Sequence, residues 1–254
     1  MRLFDTHCHF ERADPTEIAA ILSRAKAAGV EKLMAVGGAP ALNESAALAV
    51  EVADEALVAP KVFCALGYDR EQIGKNTTVQ PSTFNLQPGA QRALGEIGLD
   101  YHYSPETREQ QLVLFAEQLE EARSRNLPVV IHTREAAADT IAVLREIPSR
   151  GIIHCFTGTP EEARAYLDLG FYISISGIVT FKPADNVRAS ALVVPDDRIL
   201  METDSPFLAP VPMRGNPNEP AFIRHTCEFL ARLRGVSAED FADLAFANAE
   251  RILG

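Results

Sequence analysis

No stretch of the 254 residues approaches the roughly 18 apolar residues that a membrane-spanning helix needs. The chain enters an apolar run by Leu3 and Phe4 without a basic leader, so a soluble, cytoplasmic protein is the expectation. Cysteine is scarce: Cys8, Cys64, Cys155 and Cys227 form no Cys-x-x-Cys pair, which argues against a disulfide framework and reads as reduced core residues. Positive charge is also short, with 24 Lys and Arg against 35 Asp and Glu and a net charge of −11. That balance argues against broad, sequence-independent binding of nucleic acid, whose footprint is a basic stripe. It leaves room for a nucleic-acid substrate, because two divalent ions would offset up to about four charges where a phosphate must sit. No Gly/Ser linker, charge block, internal repeat or low-complexity segment marks a boundary, and one domain over 1–254 is the simplest division.

What is present is a 47% hydrophobic chain able to bury a large core. Short β-prone runs recur at 3–7, 32–36, 62–67, 93–98, 129–133, 152–156, 171–176 and 199–204. Between them lie helical stretches. Asp14-Pro15-Thr16-Glu17 and Thr159-Pro160-Glu161-Glu162 each place a capping residue, proline at the first helical position and Glu at the third, while Gly29, Gly170 and Gly235 follow helix ends. Ile18, Ile21, Leu22 and Ala25, then Leu112, Phe115, Ala116 and Leu119, repeat at the i, i+3, i+4, i+7 spacing of a helix face that covers a sheet. Eight strands alternating with helices predict parallel pairing, in a closed (β/α)8 barrel or a doubly wound open sheet.

Four of the six histidines and two carboxylates sit at the ends of these runs: Asp5-Thr6-His7-Cys8-His9, Gly95-Glu96-Ile97-Gly98, Val130-Ile131-His132-Thr133, Ile153-His154-Cys155-Phe156 and Met201-Glu202-Thr203-Asp204. Imidazole and carboxylate are ligands for borderline-hard divalent ions, and six of them allow two ions. A metal site in turn points to hydrolysis. An isolated His-x-His is equally a polar turn and a lone Glu96 a loop cap, but five such motifs at strand ends favour a metal centre. They come from runs one, four, five, six and eight, which converge in a barrel and spread apart in an open sheet. Strand alternation puts His7 and His9 on one face with Asp5 beneath His7, and Glu202 beneath Asp204, as sources of supporting hydrogen bonds.

These stretches, extended to Gly95-Glu96-Ile97-Gly98-Leu99-Asp100-Tyr101, Ile131-His132-Thr133-Arg134-Glu135-Ala136, Ile153-His154-Cys155-Phe156-Thr157-Gly158 and Glu202-Thr203-Asp204-Ser205-Pro206, resemble the signatures of the TatD family of metal-dependent hydrolases. Arg214-Gly215-Asn216-Pro217-Asn218-Glu219-Pro220 is similar to that family's loop after the last strand, so the resemblance runs from residue 3 to the C-terminal helix. It implies a distorted (β/α)8 TIM barrel with a C-terminal helix. It also implies His7, His9 and Asp204 on one divalent ion, His132 and His154 on another, and Glu96 bridging. On that picture Asp204 is also the candidate general base, and the activity is a deoxyribonuclease acting by metal-activated water. Magnesium, manganese and zinc are all compatible with the ligand set. No obligate protein partner is readable.

Substrate contacts are less specific. Arg134 presents a fork of donors to phosphate or pairs with a loop carboxylate such as Glu135. Thr157 and Gly158 precede a helix start whose N–H groups suit an anion, although a plain cap at Thr159 explains them as well. Arg214 lies in the final loop, and Tyr101, His102 and Tyr103 offer a stacking surface. His225 reads as structural. Where the family carries Gly-x-His-Pro-His, this chain has Gly67-Tyr68-Asp69-Arg70-Glu71, so both histidines are missing and substrate choice is what changes. Asp69 and Glu71 repel a phosphate unless Arg70 compensates. The polar stretch 74–89 shows little helical pattern, which predicts a remodelled third βα unit. The rival functions are a metal-dependent ester or amide hydrolase, for example an aminoacyl-tRNA deacylase, and a non-catalytic metal-binding relative.

Overall fold

Apolar runs bounded by turn residues become eight strands: β1 (Leu3–Cys8), β2 (Val30–Gly38), β3 (Lys61–Tyr68), β4 (Gln91–Asp100), β5 (Val129–Arg134), β6 (Gly151–Ile153), β7 (Tyr172–Ile175) and β8 (Ile199–Met201). The structure is a computed structural model that describes residues 1–11, 14–75 and 89–254. Neighbouring strands are parallel and follow chain order from β1 to β8. Beyond β8, Ser205 bridges Cys8 in parallel register, so the sheet curls round into a nearly closed (β/α)8 barrel.

The helices follow their sequence signals. In α1 (Pro15–Ala27) the Asp14 side chain accepts the N–H of Glu17 at 2.9 Å, and in α5 (Pro160–Asp168) Thr159 and Glu162 form a reciprocal capping box. Gly29, Gly170 and Gly235 adopt φ of +95°, +85° and +72° at helix exits, the left-handed region open to glycine. The others are α2 (Pro40–Glu55), α3 (Arg108–Ser124), α4 (Ala137–Glu146), α6 (Asp185–Val193), α7 (Ile223–Arg234) and α8 (Ala238–Leu253). The third unit departs from the pattern: among the described residues a 3-10 turn over Arg70–Gln72 follows β3, and no α-helix precedes β4. Most of the stretch 74–89, where remodelling is expected, lies outside the described residues.

Two apolar layers hold the barrel. Outward-facing strand residues such as Leu33, Leu66, Leu94, Ile131 and Ile173 pack against Ile18, Leu22, Phe115 and Leu119 of the covering helices. Inward-facing Phe4, Met34, Phe63, Val130, Ile152, Tyr172 and Leu200 fill the interior and meet Phe246, Ala249, Ile252 and Leu253 of α8. These interior residues sit near the starts of their strands, so α8 closes the N-terminal end and leaves the C-terminal end open. Asn248 fastens that helix by donating to the main-chain oxygens of Asp196 and Ile199 at 2.8 and 2.9 Å.

Strand ends differ from the sequence reading. The runs 152–156 and 199–204 stop as strands at Ile153 and Met201, because Cys155 (φ +43°) and Asp204 (φ +56°) turn into the left-handed region and leave the ladder. No helix among the described residues is long and apolar enough to cross a membrane.

Candidate metal centre

Each ligand candidate is delivered by a strand end. His7 lies in β1 and His9 just beyond it, Glu96 lies in β4, His132 in β5, His154 directly after β6 and Asp204 after β8. Glycine makes the placement of Glu96 possible. A Cβ on Gly95 would lie 2.7 Å from the Cβ of Val130, and one on Gly67 would lie 2.9 Å from the Gly95 carbonyl carbon, so β3, β4 and β5 can run this closely only with hydrogen at those points.

The six side chains converge. His7 Nε2 and His9 Nε2 are 3.0 Å apart, each 3.7 Å from Asp204 Oδ1, and 3.5 and 3.7 Å from Glu96 Oε2. The other oxygen of Glu96 faces a second group, with His132 Nδ1 at 3.1 Å and His154 Nε2 at 3.2 Å. Glu96 thus stands between two clusters, one carboxylate oxygen toward each. All six residues are buried or half-buried.

Hydrogen bonds on the far side of the rings decide what these atoms can accept. His9 Nδ1 donates to the Val36 carbonyl at 2.9 Å, and His132 Nε2 donates to Asp100 Oδ2 at 2.9 Å, which leaves lone pairs on His9 Nε2 and His132 Nδ1 aimed at carboxylates. Acceptors facing acceptors at 3.1–3.7 Å need a proton or a cation among them. A donor set of four imidazoles and two carboxylates, with the tautomers of His9 and His132 fixed from behind, fits a divalent ion.

Two of the supporting groups differ from the strand-parity expectation. The register of β1 against β2 is irregular between Asp5 and Cys8, so Asp5 does not sit simply beneath His7. Its buried carboxylate accepts the main-chain N–H of His7 at 3.3 Å, and also the N–H and hydroxyl of Thr203 at 2.9 and 2.6 Å, which pins the turn that presents Asp204. Glu202 serves His154 rather than Asp204: its Oε1 accepts the Cys155 N–H at 2.7 Å and lies 3.4 Å from His154 Nδ1. Asp100 was given no role by the sequence reading. The signal was available, because Glu96, Gly98 and Asp100 fall on one face at a period of two.

Charge follows burial. Burial pushes the Asp204 carboxyl up to about 6, with Glu202 and Glu96 adding to the shift against His154 and His9. Burial also raises Glu96, but His154, His132 and His7 outweigh it and hold this carboxyl well below its usual range. His7 is lowered to about 4 by burial and by its stacked neighbour His154. Burial opposes protonation of His154 too, yet Glu96 and Glu202 on either side carry it well above the ordinary value. Without an ion, a protonated imidazole supplies the positive charge that the carboxylates demand.

The remaining candidates spread around the rim. Asp69 caps the 3-10 turn by accepting the Glu71 N–H at 2.8 Å, and burial first, then Glu96, raises its carboxyl to about 6. Arg70 turns inward to Asp100, and both Arg70 and Arg134 lie over the exposed Tyr103 ring, at 5.5 and 4.8 Å from its centre. Arg134 has no carboxylate within 4.0 Å among the described residues, so the pairing with Glu135 is absent; Glu135 meets His102 at 2.8 Å instead. The main chain of Tyr68 is gripped on both sides by Gln118. Thr157 and Gly158 lead into the capping box, and their carbonyls accept from Asn186 and Ser190. Arg214 packs on Phe181 with its guanidinium 4.0 Å above the ring. His225 packs against Phe222 in α7.

The sequence model of the family described as TatD related DNase matches residues 4–254. Over 163 residues the chain is 51% identical to the uncharacterized metal-dependent hydrolase YcfH of Escherichia coli K12, a match covering 63% of this chain and 62% of that one. Over 175 residues it is 39% identical to the 3′-5′ ssDNA/RNA exonuclease TatD of Pantoea ananatis, covering 64% of this chain and 65% of that one. Both matches span less than two thirds of the relative's own length. The crystal structure of YjjV, a TatD homologue of Escherichia coli K12, is similar with a TM-score of 0.86 and 28% identity, over 99% of this chain and 98% of that one.

Proposed function

The chain belongs to the TatD related DNase family, and from that premise we propose that it is a divalent-metal-dependent hydrolase that cleaves phosphodiester bonds in DNA. One observation carries the reading: Glu96 turns one oxygen to the His7, His9 and Asp204 cluster and the other to His132 and His154. This arrangement supports two ions with Glu96 between them. Ions so held supply Lewis acidity and lower the pKa of bound water.

The chain's own groups do the rest. Asp204 Oδ1 faces the two imidazoles of β1, which leaves Oδ2 to orient the attacking water and take its proton. The water oxygen forms the new bond to phosphorus, and the leaving oxygen departs with the bonding pair. Asp100 holds the ring of His132 in place by a hydrogen bond, and Glu202 sets a negative charge 3.4 Å behind that of His154. Arg134 and Tyr103 at the rim suit a phosphate and a base, as do Tyr68 at the end of β3, Arg70 and Arg214, with Thr157 and Gly158 just before α5. The printed name of the Pantoea relative favours a nucleic-acid substrate.

The six candidate ligands lie on or just after the first, fourth, fifth, sixth and eighth strands of one sheet, which supports reading 1–254 as one domain. Four unbonded cysteines suit a reducing, cytoplasmic setting. An ester or amide hydrolase needs no different ligands and is the second reading.

The test is turnover of single-stranded DNA, a small bis-aryl phosphodiester and an aryl ester after metal removal and separate return of Mg²⁺, Mn²⁺ or Zn²⁺. DNA shortening that returns with metal and is lost in Glu96→Ala supports the proposal. Ester cleavage with no phosphodiester cleavage keeps the metal centre and discards the nuclease.

A further inference from the structure

Behind His132 one carboxylate is shared between an imidazole and a guanidinium. Asp100 Oδ1 accepts the main-chain N–H groups of His102 and Tyr103 at 2.9 Å each, and Oδ2 accepts His132 Nε2–H at 2.9 Å. Arg70 Nη1 stands 3.6 Å from that same Oδ2. Asp100 is fully buried, Gln111 grips its main chain at both N–H and carbonyl, and the two N–H groups on Oδ1 hold the carboxylate in its orientation. Arg70 is held as well, with a side chain only 16% exposed and its guanidinium laid over Tyr103. Its other carboxylate neighbour, Glu71 at 3.8 Å, is 68% exposed and screened by water. Among the described residues, Glu96, Asp204, Glu202, Asp5 and Asp69 have no Arg or Lys within 4.0 Å; Arg70 is the one permanent cation on the carboxylates around the six ligands.

We propose that Arg70 is a positioning residue that sets how tightly the centre holds its ion, by placing a fixed positive charge on the carboxylate behind His132. Two effects act in one direction. The guanidinium lowers the basicity of Asp100, so Asp100 draws less on the Nε2 proton and His132 Nδ1 is a weaker donor. It also subtracts one negative charge from the field that attracts a cation, while adding positive field at the rim where an anionic substrate approaches. Metal affinity and substrate affinity therefore move oppositely when the charge is removed. The inference rests on the metal-centre reading above.

The experiment titrates metal-free wild type, Arg70→Gln, Arg70→Met and Arg70→Lys with Mn²⁺ by calorimetry, and measures KM and kcat on a bis-aryl phosphodiester. Arg70→Met retains an apolar stem against Tyr103 and guards against a packing defect in Arg70→Gln. Both neutral variants should bind Mn²⁺ about three- to tenfold more tightly, less than the roughly ten- to hundredfold change typical of a group touching a ligand directly. KM should rise by a similar factor, and Arg70→Lys, which keeps the charge, should stay closer to wild type in both. Unchanged or weaker metal binding in both neutral variants overturns the proposal, and joint weakening of metal and substrate assigns Arg70 a structural part only. A wild type that binds no divalent ion removes the metal centre and this inference together; wild type and neutral variants that bind it equally remove the inference alone.

Discussion

The proposed function gives Asp204 two duties, ligand and base, and one substitution separates the second from folding. Asp204→Asn keeps the shape and one oxygen yet loses the proton acceptor, so turnover should fall about 10²- to 10⁴-fold with an unchanged circular dichroism spectrum. Near-normal turnover would take the base away from Asp204. Its carboxyl, raised to about 6 by burial, also sets a pH window for loading: the protonated form prevails below about 6 and cannot ligate. Affinity for Mn²⁺ should then fall as pH drops through about 6, and it should reach no plateau just above that point, because His154 and His132 also hold their protons above the ordinary imidazole value and must lose them to ligate, in titrations between about pH 5 and 8. That these six side chains would meet was legible because each ends an apolar run. Asp100 lies within the quoted stretch on the face of Glu96, but its bond to His132 appears only once β4 and β5 pair. The true partners of Asp5 and Glu202 were not legible, because they depend on a register irregularity and on where left-handed residues end β6 and β8.

At the scale of elements, the turn after β3 carries Asp69, Arg70 and Glu71 where the resemblance led to the expectation of two histidines. Asp69 both caps that turn and shares its environment with Glu96, so an anion arriving there meets two carboxyls. Asp69→His should raise turnover of a bis-aryl phosphodiester, since an imidazole donates where a carboxylate repels. No change, or a loss, would mean that the turn is built for another substrate. Helix starts were predictable from Asp14 and Thr159 because a cap is a local bond between residues three apart. Strand ends were less so: a dihedral angle such as that of Cys155 (φ +43°) is imposed by what the neighbouring strands require.

Across the whole molecule, the eight-strand barrel followed from the alternation of runs and from ligands arising in the first and last of them. That α8 closes the opposite end was not readable, because its apolar face differs in no way from that of an outer helix until the interior cluster is seen. Phe246→Ala should cost about 3–5 kcal/mol of stability and leave Mn²⁺ affinity near wild type, since the lost ring lies at the closed end. A parallel loss of metal affinity would mean that the two ends are coupled. The seam of the ring lies at the other end. His9 N–H donates to the Ser205 carbonyl at 2.7 Å and Asp204 N–H to that of His7 at 2.9 Å, so the first and last strands are joined by the very residues that converge on the ligand cluster. An ion gripped by His7, His9 and Asp204 is therefore a clasp between the two ends of the chain. Chelation should do more than stop chemistry: it should unfasten the ring, hastening amide hydrogen exchange along β1 and the stretch after β8 before any other strand responds.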